Sequence, residues 1–480
     1  MKNTFRGLAW VGLMISVGLA YADDAAVYMA DGIKIGEVTQ NSAIVWTRLT
    51  IAPEGNAGGF PFPEVSTGRE RAAGLSTTAI TGGPFLGEME GSALGMPGLV
   101  RVAWWRESDP GRRETTEWAW VDVDRDYTRQ FALSHLEPGT QYFVRAEGRP
   151  AGSVEPTCAL QGRFRTPPAP SVAAPISFVV VTCQEYPRRD DPKNGHKIYD
   201  AMRKLDPDFF VHTGDIEYYD RPLPYAPNRE LARFKWNRIY AMPFQRAFHL
   251  NVSSYFIKDD HDTLRDDCWP GQTYGDLTWE QGLAIFREQV PIGEKTYRTI
   301  RWGKDLQIWL TEGRDFRSPN TLPDGPDKTI WGKEQKAWFR RTVAESDATF
   351  RVLINPNPLV GPDRDKKRDN HSNANFAHEG NELRQFIAAQ GNMIVINGDR
   401  HWQYASVDDE TGLREFGTGP SSDAHVGGWD QDDFRPEHRY LNLKGGFLHV
   451  TVSRASGEPR MCLQHKSVDG AVYNEATLPE

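Results

Sequence analysis

Five apolar, strand-like runs between residues 176 and 401 each end on side chains able to bind a metal or move a proton. Residues 176–182 (ISFVVVT) end at Cys183, and residues 208–213 end at Gly214-Asp215, with Tyr218 three positions on. Residues 254–257 end at Asp259-Asp260-His261-Asp262, residues 350–354 at Asn355, and residues 393–396 at Asn397-Gly398-Asp399-Arg400-His401. A thiolate, a phenolate and an imidazole with a carboxylate suit a hard, highly charged transition ion such as ferric iron. Two aspartates and an asparagine suit an oxygen-seeking divalent ion such as calcium or magnesium. Two ions about 3.5–4 Å apart can hold a hydroxide and a phosphoryl oxygen and stabilise an in-line displacement. Taken singly, each member has a plainer reading: Gly-Asp after a strand is a turn, and a lone cysteine is a small apolar residue. The signal lies in the series, and in the four ionisable side chains crowded at 259–262.

Those residues need elements that bring them together. ISFVVVT shows no polar alternation, as expected of a strand covered on both faces. Ile198, Met202 and Leu205 then follow at helical spacing and residues 209–212 return to strand character, which predicts a βαβ unit. In α/β sheets, sites lie beyond the carboxyl ends of the strands, where the five termini can converge. Upstream, residues 36–39 and 42–47 read as short strands, and residues 51–100 are too rich in Gly and Pro for a helix or a central strand. They are expected to form an inserted surface loop. Strand-like runs resume at 99–105, 117–123 and 130–134, and the turn at 136–140 leading into Tyr142 predicts a tyrosine corner. The expected organisation is a fibronectin III-like β-sandwich over 23–166, a stiff Pro-rich linker at 167–174 and a catalytic α/β domain over 175–480.

The amino terminus adds a destination. Lys2 and Arg6 precede an apolar run over residues 7–20, and Ala20-Tyr21-Ala22 supplies a small-x-small cleavage site, so residues 1–22 read as a secretory signal peptide rather than a membrane span. Cleavage takes the formal net charge from −9 to −11 and leaves no transmembrane anchor. No Arg-Arg pair is present there, which favours export of the unfolded chain to the periplasm or the medium. At 480 residues, with 39% hydrophobic and 25% charged residues and a mean hydropathy of −0.58, disordered and polytopic membrane classes are excluded. The acidic balance argues against a stable nucleic-acid partner.

The motifs Val181-Thr182-Cys183-Gln184, His212-Thr213-Gly214-Asp215-Ile216-Glu217-Tyr218, Asp259-Asp260-His261-Asp262 and Gly398-Asp399-Arg400-His401 resemble the series of PhoD-type alkaline phosphatases, a branch of the calcineurin-like metallophosphoesterases related to purple acid phosphatases. Trp331-Gly332-Lys333-Glu334-Gln335, Val352-Leu353-Ile354-Asn355 and Arg414-Glu415-Phe416-Gly417-Thr418 extend the likeness, so that it covers nearly all of the chain after the signal. The resemblance implies an αββα sandwich with mixed sheets in the catalytic domain. It implies ferric iron on Cys183, Asp215, Tyr218 and His401, and a second ion, usually calcium, on Asp215, Asp260, Asn355 and Asp399. His261 would donate a proton to the leaving alkoxide or stabilise the transition state, with Asp262 to orient it. Asn357 competes with Asn355, because Pro356 interrupts the run. Lys258 departs from the family's usual Trp, and Arg400-His401-Trp402 from its usual small-residue context.

An anionic substrate must approach an acidic chain, so local cations matter; Arg188 and Arg400 are the expected substrate-binding residues. Residues 363–369 (DRDKKRD), of mixed sign, are expected to be a solvated loop. With Cys183 on a metal, Cys158, Cys268 and Cys462 permit one disulfide, its pairing open. The expected activity is hydrolysis of phosphate monoesters and some diesters by a metal-held hydroxide, with inversion and no covalent intermediate. The alternatives are a dedicated phosphodiesterase or a phospholipase D-like enzyme on envelope or lipid substrates, and, outside enzymes, an adhesion protein with a vestigial phosphatase domain. Oligomeric state is not legible.

Overall fold

The unbroken apolar runs form strands with two buried faces. Along Ile176–Val181, Phe178 and Val180 enter one core while Val179 and Val181 enter another. Phe350–Asn355 divides likewise, Val352 and Ile354 to one side and Leu353 to the other, as does Met393–Asn397 with Ile394 and Ile396 against Val395. The shared inner core lies between two sheets and also holds Phe209, Trp302, Ile308 and Phe416. Helices Lys197–Lys204, Arg229–Tyr240, Pro243–His249 and Trp279–Gln289 cover the outside of the first sheet. Gly332–Ala344 and Ala377–Ala388 cover the outside of the second, giving the αββα layering expected. A capping box between Thr278 and Gln281 fixes the start of Trp279–Gln289, and Asn228 caps Arg229–Tyr240 through the N–H of Leu231.

This computed structural model describes residues 26–62, 85–455 and 457–479; the expected signal peptide lies outside the described residues. The first sheet has nine strands in the order Val472–Leu478, Arg460–Lys466, Phe447–Ser453, Ile176–Val181, Phe209–His212, Ser253–Phe256, Ile33–Gly36, Ala43–Arg48 and Thr128–Leu133. Ile176–Val181, Phe209–His212 and Ser253–Phe256 run parallel, with Val181, His212 and Phe256 level. The second has seven, in the order Arg298–Trp302, Leu306–Leu310, Phe350–Asn355, Met393–Asn397, Arg414–Thr418, Gln403–Val407 and His438–Asn442. Asn355 pairs with Asn397 in its parallel centre. The carboxyl ends of both parallel sets open on one edge of the sandwich.

Three strands of the first sheet, Ile33–Gly36, Ala43–Arg48 and Thr128–Leu133, also form one half of the N-terminal sandwich. They pack on a five-stranded sheet built on Leu99–Arg106, Gln141–Arg149 and Cys158–Arg165, across a core that includes Val45, Val100, Phe131, Val144 and Phe164. The N–H of Glu137 donates to the Tyr142 hydroxyl at 2.9 Å, forming the tyrosine corner. The described parts of the inserted loop, 51–62 and 85–98, carry one short 3-10 turn, Leu86–Glu88. Gly36 pairs in parallel with Ser254, so sandwich and catalytic sheet are one hydrogen-bonded surface. Beside this seam, buried Arg48 bridges Asp31 and Asp126, each at 2.9 Å, and Asp126 also accepts from Asn237 at 2.8 Å and Gln289 at 2.9 Å. The Pro-rich linker docks on the Trp302–Leu306 turn, Pro168 accepting from Gly303 and Val172 from Lys304. Cys158, Cys183, Cys268 and Cys462 are all free, so the one disulfide that the cysteine count permits is not formed.

Candidate metal centre

At the shared edge three reversals leave their strands in the left-handed backbone region: Cys183 at φ 49°, Asp215 at φ 54° and Asp399 at φ 64°. Such conformations are rare for residues with a Cβ and persist where the surroundings enforce them. Here they turn three potential ligands to one point. The loops nest so closely that a Cβ on Gly398 would lie 2.3 Å from Thr213 Oγ1 and 2.6 Å from Thr182 Oγ1. Only glycine fits there.

Asp215 is the hub. Its Oδ2 accepts from Cys183 Sγ at 3.4 Å and from the Tyr218 hydroxyl at 3.0 Å, and that hydroxyl lies 3.2 Å from His401 Nε2. Ligand atoms of Cys183, Asp215 and His401 lie within 4.8 Å of one another. Asp215 belongs equally to a set with Asp260 and His261 and to one with Asp259 and Asp399. Asp215 Oδ1, Asp260 Oδ1 and Asn357 Oδ1 are buried without a hydrogen-bond partner. Buried oxygens are normally satisfied, and a cation satisfies several at once. The thiol, phenol and imidazole beside one carboxylate, and the orphan oxygens beside the next, fit a two-cation centre.

The electrostatics agree. Burial raises the Asp215 carboxyl well above the usual carboxylate range, opposed by His261 and reinforced by Asp260 and Asp259. Burial and the Asp215 charge raise the Cys183 thiol and Tyr218 phenol, while burial with His261 and Arg400 holds His401 well below its ordinary value. The pocket therefore favours neutral ligands, and a multivalent cation reverses that preference.

Several positions differ from expectation. Asp262 does not orient His261: its carboxylate accepts from the N–H of Asp259 at 2.7 Å and of Ile216 at 3.0 Å, tying two site loops together. The carboxylate on His261 is Asp220, whose Oδ1 lies 2.6 Å from Nδ1. Burial lowers the affinity of His261 for a proton, but Asp220, Asp260 and Asp215 outweigh it and leave its pKa well raised. Arg400 does not reach the mouth. Its guanidinium is fully buried, paired with Asp399, with Asp363 at 3.1 Å and with Asp369 at 4.0 Å. Arg188 does sit at the rim, partly exposed, with Nε on Glu185 at 2.8 Å and Nη1 on the Ala424 carbonyl at 3.4 Å. Asn355 spends its amide on Thr311 and the Asn357 carbonyl, whereas the Asn357 side chain reaches Asp259 at 2.9 Å and Asp399 at 3.5 Å. The 363–369 run is no solvated loop: Asp363 and Asp369 are buried, and Lys367 bridges to Asp267 at 2.6 Å.

Sequence reasoning also missed His425 and Arg314. Buried His425 lies with its ring tilted 4.4 Å from that of His401 and 5.1 Å from that of Tyr218. Buried Arg314 donates to Asp259 at 2.5 Å and lies 3.6 Å from Asp260, offsetting part of the charge of the acidic pair. Neither lies within a motif; His425 follows the Arg414–Thr418 strand by seven residues, a spacing that signals nothing on its own.

The family model of the PhoD-like phosphatases matches residues 178–441, and that of the PhoD-like phosphatase N-terminal domain matches residues 17–168. The chain belongs to the PhoD-like phosphatase family. Among curated proteins, alkaline phosphatase D of Bacillus subtilis is 22% identical, the match covering 88% of this chain and 75% of that one. A solved structure of PhoD shares the fold at a TM-score of 0.70 and 17% identity, covering 94% of this chain and 88% of its own. Purple acid phosphatase PPD1 from yellow lupin seeds follows at 0.63 and 12%, covering 95% and 75%. As a PhoD-like phosphatase the chain is a metal-dependent enzyme acting on phosphate esters, and the adhesion reading falls. Among the described residues no helix is long and apolar enough to cross a membrane.

Proposed function

We propose that this PhoD-like phosphatase is an exported hydrolase of phosphate monoesters and some diesters, working at an iron–calcium centre. The observation that carries the reading is Asp215, one carboxylate shared between a thiol–phenol–imidazole set and two further groups, one with Asp259 and Asp399 and one with Asp260 and His261. Cys183, Asp215, Tyr218 and His401 hold ferric iron; Asp215, Asp260, Asp399 and Asn357 hold calcium. Asn357 is preferred to Asn355 because its side-chain amide lies against Asp259 and Asp399, whereas that of Asn355 is taken up by Thr311 and the Asn357 carbonyl. When bound, the ions supply Lewis acidity and generate a nucleophile from water near neutral pH. His261, charged and aimed by Asp220, delivers its Nε2 proton to the leaving ester oxygen. Arg188 steadies the anionic group at the rim. The basic start, apolar run and Ala-Tyr-Ala site in residues 1–22 support export, with the sandwich at 23–166 and the catalytic domain at 175–480.

Elemental analysis of the purified protein, paired with visible spectroscopy, tests the centre. Iron with a tyrosinate charge-transfer band is expected, the band disappearing in Tyr218→Phe. Colour and iron content unchanged in that variant would sink the ligand assignment. Turnover of mono- and diester substrates, with and without added calcium, measures the preference between ester classes.

A further inference from the structure

The 363–369 run, which the charge pattern alone assigns to solvent, carries a guanidinium to the rim of the metal centre. Arg364 packs over the Trp402 ring at 5.7 Å, directly after His401 in the chain. Trp402 packs on Trp429 at 5.0 Å with the rings tilted by 31°, and Arg435 covers the other end of that pair, 4.7 Å from the Trp429 ring. Arg435 closes the circuit by donating to the Asp363 carbonyl at 3.3 Å and the Asp365 carboxylate at 3.0 Å. A cation–aromatic–aromatic–cation ladder thus holds the loop in place. Gly428 completes the seat: a Cβ there would stand 3.0 Å from Arg364 Nη1, while the N–H of neighbouring Gly427 donates to the His401 carbonyl at 3.3 Å.

What Arg364 is positioned for follows from what it does not contact. Among the described residues its one carboxylate partner is Asp363, at 3.4 Å from Nε, and that carboxylate is already engaged with Arg400 and Asn370. The side chain is 37% exposed, close to the 42% of Arg188. Arg188 in turn reaches the Ala424 carbonyl, beside His425, whose ring lies 4.4 Å from that of His401. Arg188 therefore flanks the His401–His425 pair from the loop after Cys183, and Arg364 approaches from the 363–369 run over Trp402, the residue that follows His401. Planar guanidinium groups suit phosphate oxygens, and a seated one loses less freedom on binding.

We propose that Arg364 and Arg188 form a two-arginine clamp for the substrate phosphate at the mouth of the metal centre, Arg364 being a substrate-binding residue and Arg400 its buried neighbour. The inference rests on the phosphatase reading. A dianionic monoester, offering more charge to the clamp than a monoanionic diester, gains more from it.

Inhibition by inorganic phosphate tests the clamp, measured on the metal-loaded full-length enzyme with a monoester and a diester substrate. Arg364→Gln should weaken phosphate inhibition roughly ten- to a hundredfold and raise KM for the monoester more than for the diester, at unchanged metal content. Arg364→Lys should recover part of the loss. Arg368→Gln removes the same charge from an exposed position on the run and should leave inhibition unchanged. An unaltered phosphate inhibition constant in Arg364→Gln, or an equal loss in Arg368→Gln, overturns the clamp. Absence of esterase activity in the metal-loaded wild type would instead overturn the phosphatase reading.

Discussion

Asp220 Oδ1 lies 2.6 Å from His261 Nδ1, and the second oxygen of the same carboxylate accepts from the N–H of Asp266 at 2.9 Å. The imidazole is thereby fixed through Nδ1, with Nε2 on the side of Asp266, 3.6 Å away, and it is charged because of its carboxylate neighbours Asp220, Asp260 and Asp215. Asp220→Asn keeps the shape and removes the charge. The expected result is a loss of about one to two decades in kcat with metal content intact, and an alkaline limb of the pH profile displaced toward acid. His261→Ala should lose roughly two to four decades. An unmoved alkaline limb in Asp220→Asn would separate Asp220 from the proton transfer.

Metal affinity should rise with pH. Cys183 and Tyr218 are raised by burial and must give up protons to bind a cation, so loading releases protons. Titration of the metal-free protein with iron at pH 6 and pH 8 should give the tighter constant at pH 8, with proton release measurable in weak buffer. Equal constants at both pH values would mean that neither group titrates on binding.

The two asparagines divide the second-ion assignment. Asn357→Ala should weaken calcium binding about ten- to a hundredfold, the range for loss of a ligand or its close support. Asn355→Ala removes the bonds to Thr311 and to the Asn357 carbonyl, and should show mainly as reduced thermal stability. Calcium titration by calorimetry on both variants ranks them, and a larger calcium loss in Asn355→Ala reverses the assignment.

Acid should destabilise the fold well before carboxylates protonate in bulk. His196 and His212 are held by burial at about 3, and His465 at about 4, so all three stay neutral in the native protein. In the unfolded chain they take up protons below about 6.5. The unfolded state therefore binds more protons between those values, and stability falls as pH drops from about 6.5 toward 4. Denaturant midpoints at pH 7 and pH 5 measure this, and His465→Gln should flatten the difference.

Arg48→Ala leaves Asp31 and Asp126 buried without their cation. Loss of one partner in such a buried cluster costs about 3–5 kcal/mol. Equilibrium unfolding should show that loss, with near-normal activity in whatever fraction remains folded.

The strand ends were legible because a strand with two buried faces leaves an unbroken apolar run, and Ile176–Val181 and Met393–Asn397 both do. Cys183, Asp215, Tyr218, Asp260, Asp399 and His401 follow such runs closely enough to be read as one set. Asp220, Arg314, Arg364 and His425 reach the site through loops whose paths depend on packing tens of residues apart, and no local period encodes that. Asp262 was misread for the opposite reason. The resemblance implied that Asp262 orients His261, yet the turn at 259–262 points successive side chains different ways, and Asp262 turns back to the N–H groups of Asp259 and Ile216. The run at 363–369 looks solvated by composition, but Arg435 and buried Arg400 are drawn to its acids.

The pairing of Gly36 with Ser254 bears on any attempt to shorten the chain. Two separate family models divide the protein, inviting expression of the catalytic part by itself. Without the N-terminal strands, Ser253–Phe256 becomes the bare margin of a parallel sheet, its outward amides and carbonyls open to any passing chain. Such margins recruit neighbours and precipitate. Trimmed at residue 175, the enzyme should come out of the cell in inclusion bodies, because its small domain also serves as the hem of the large one.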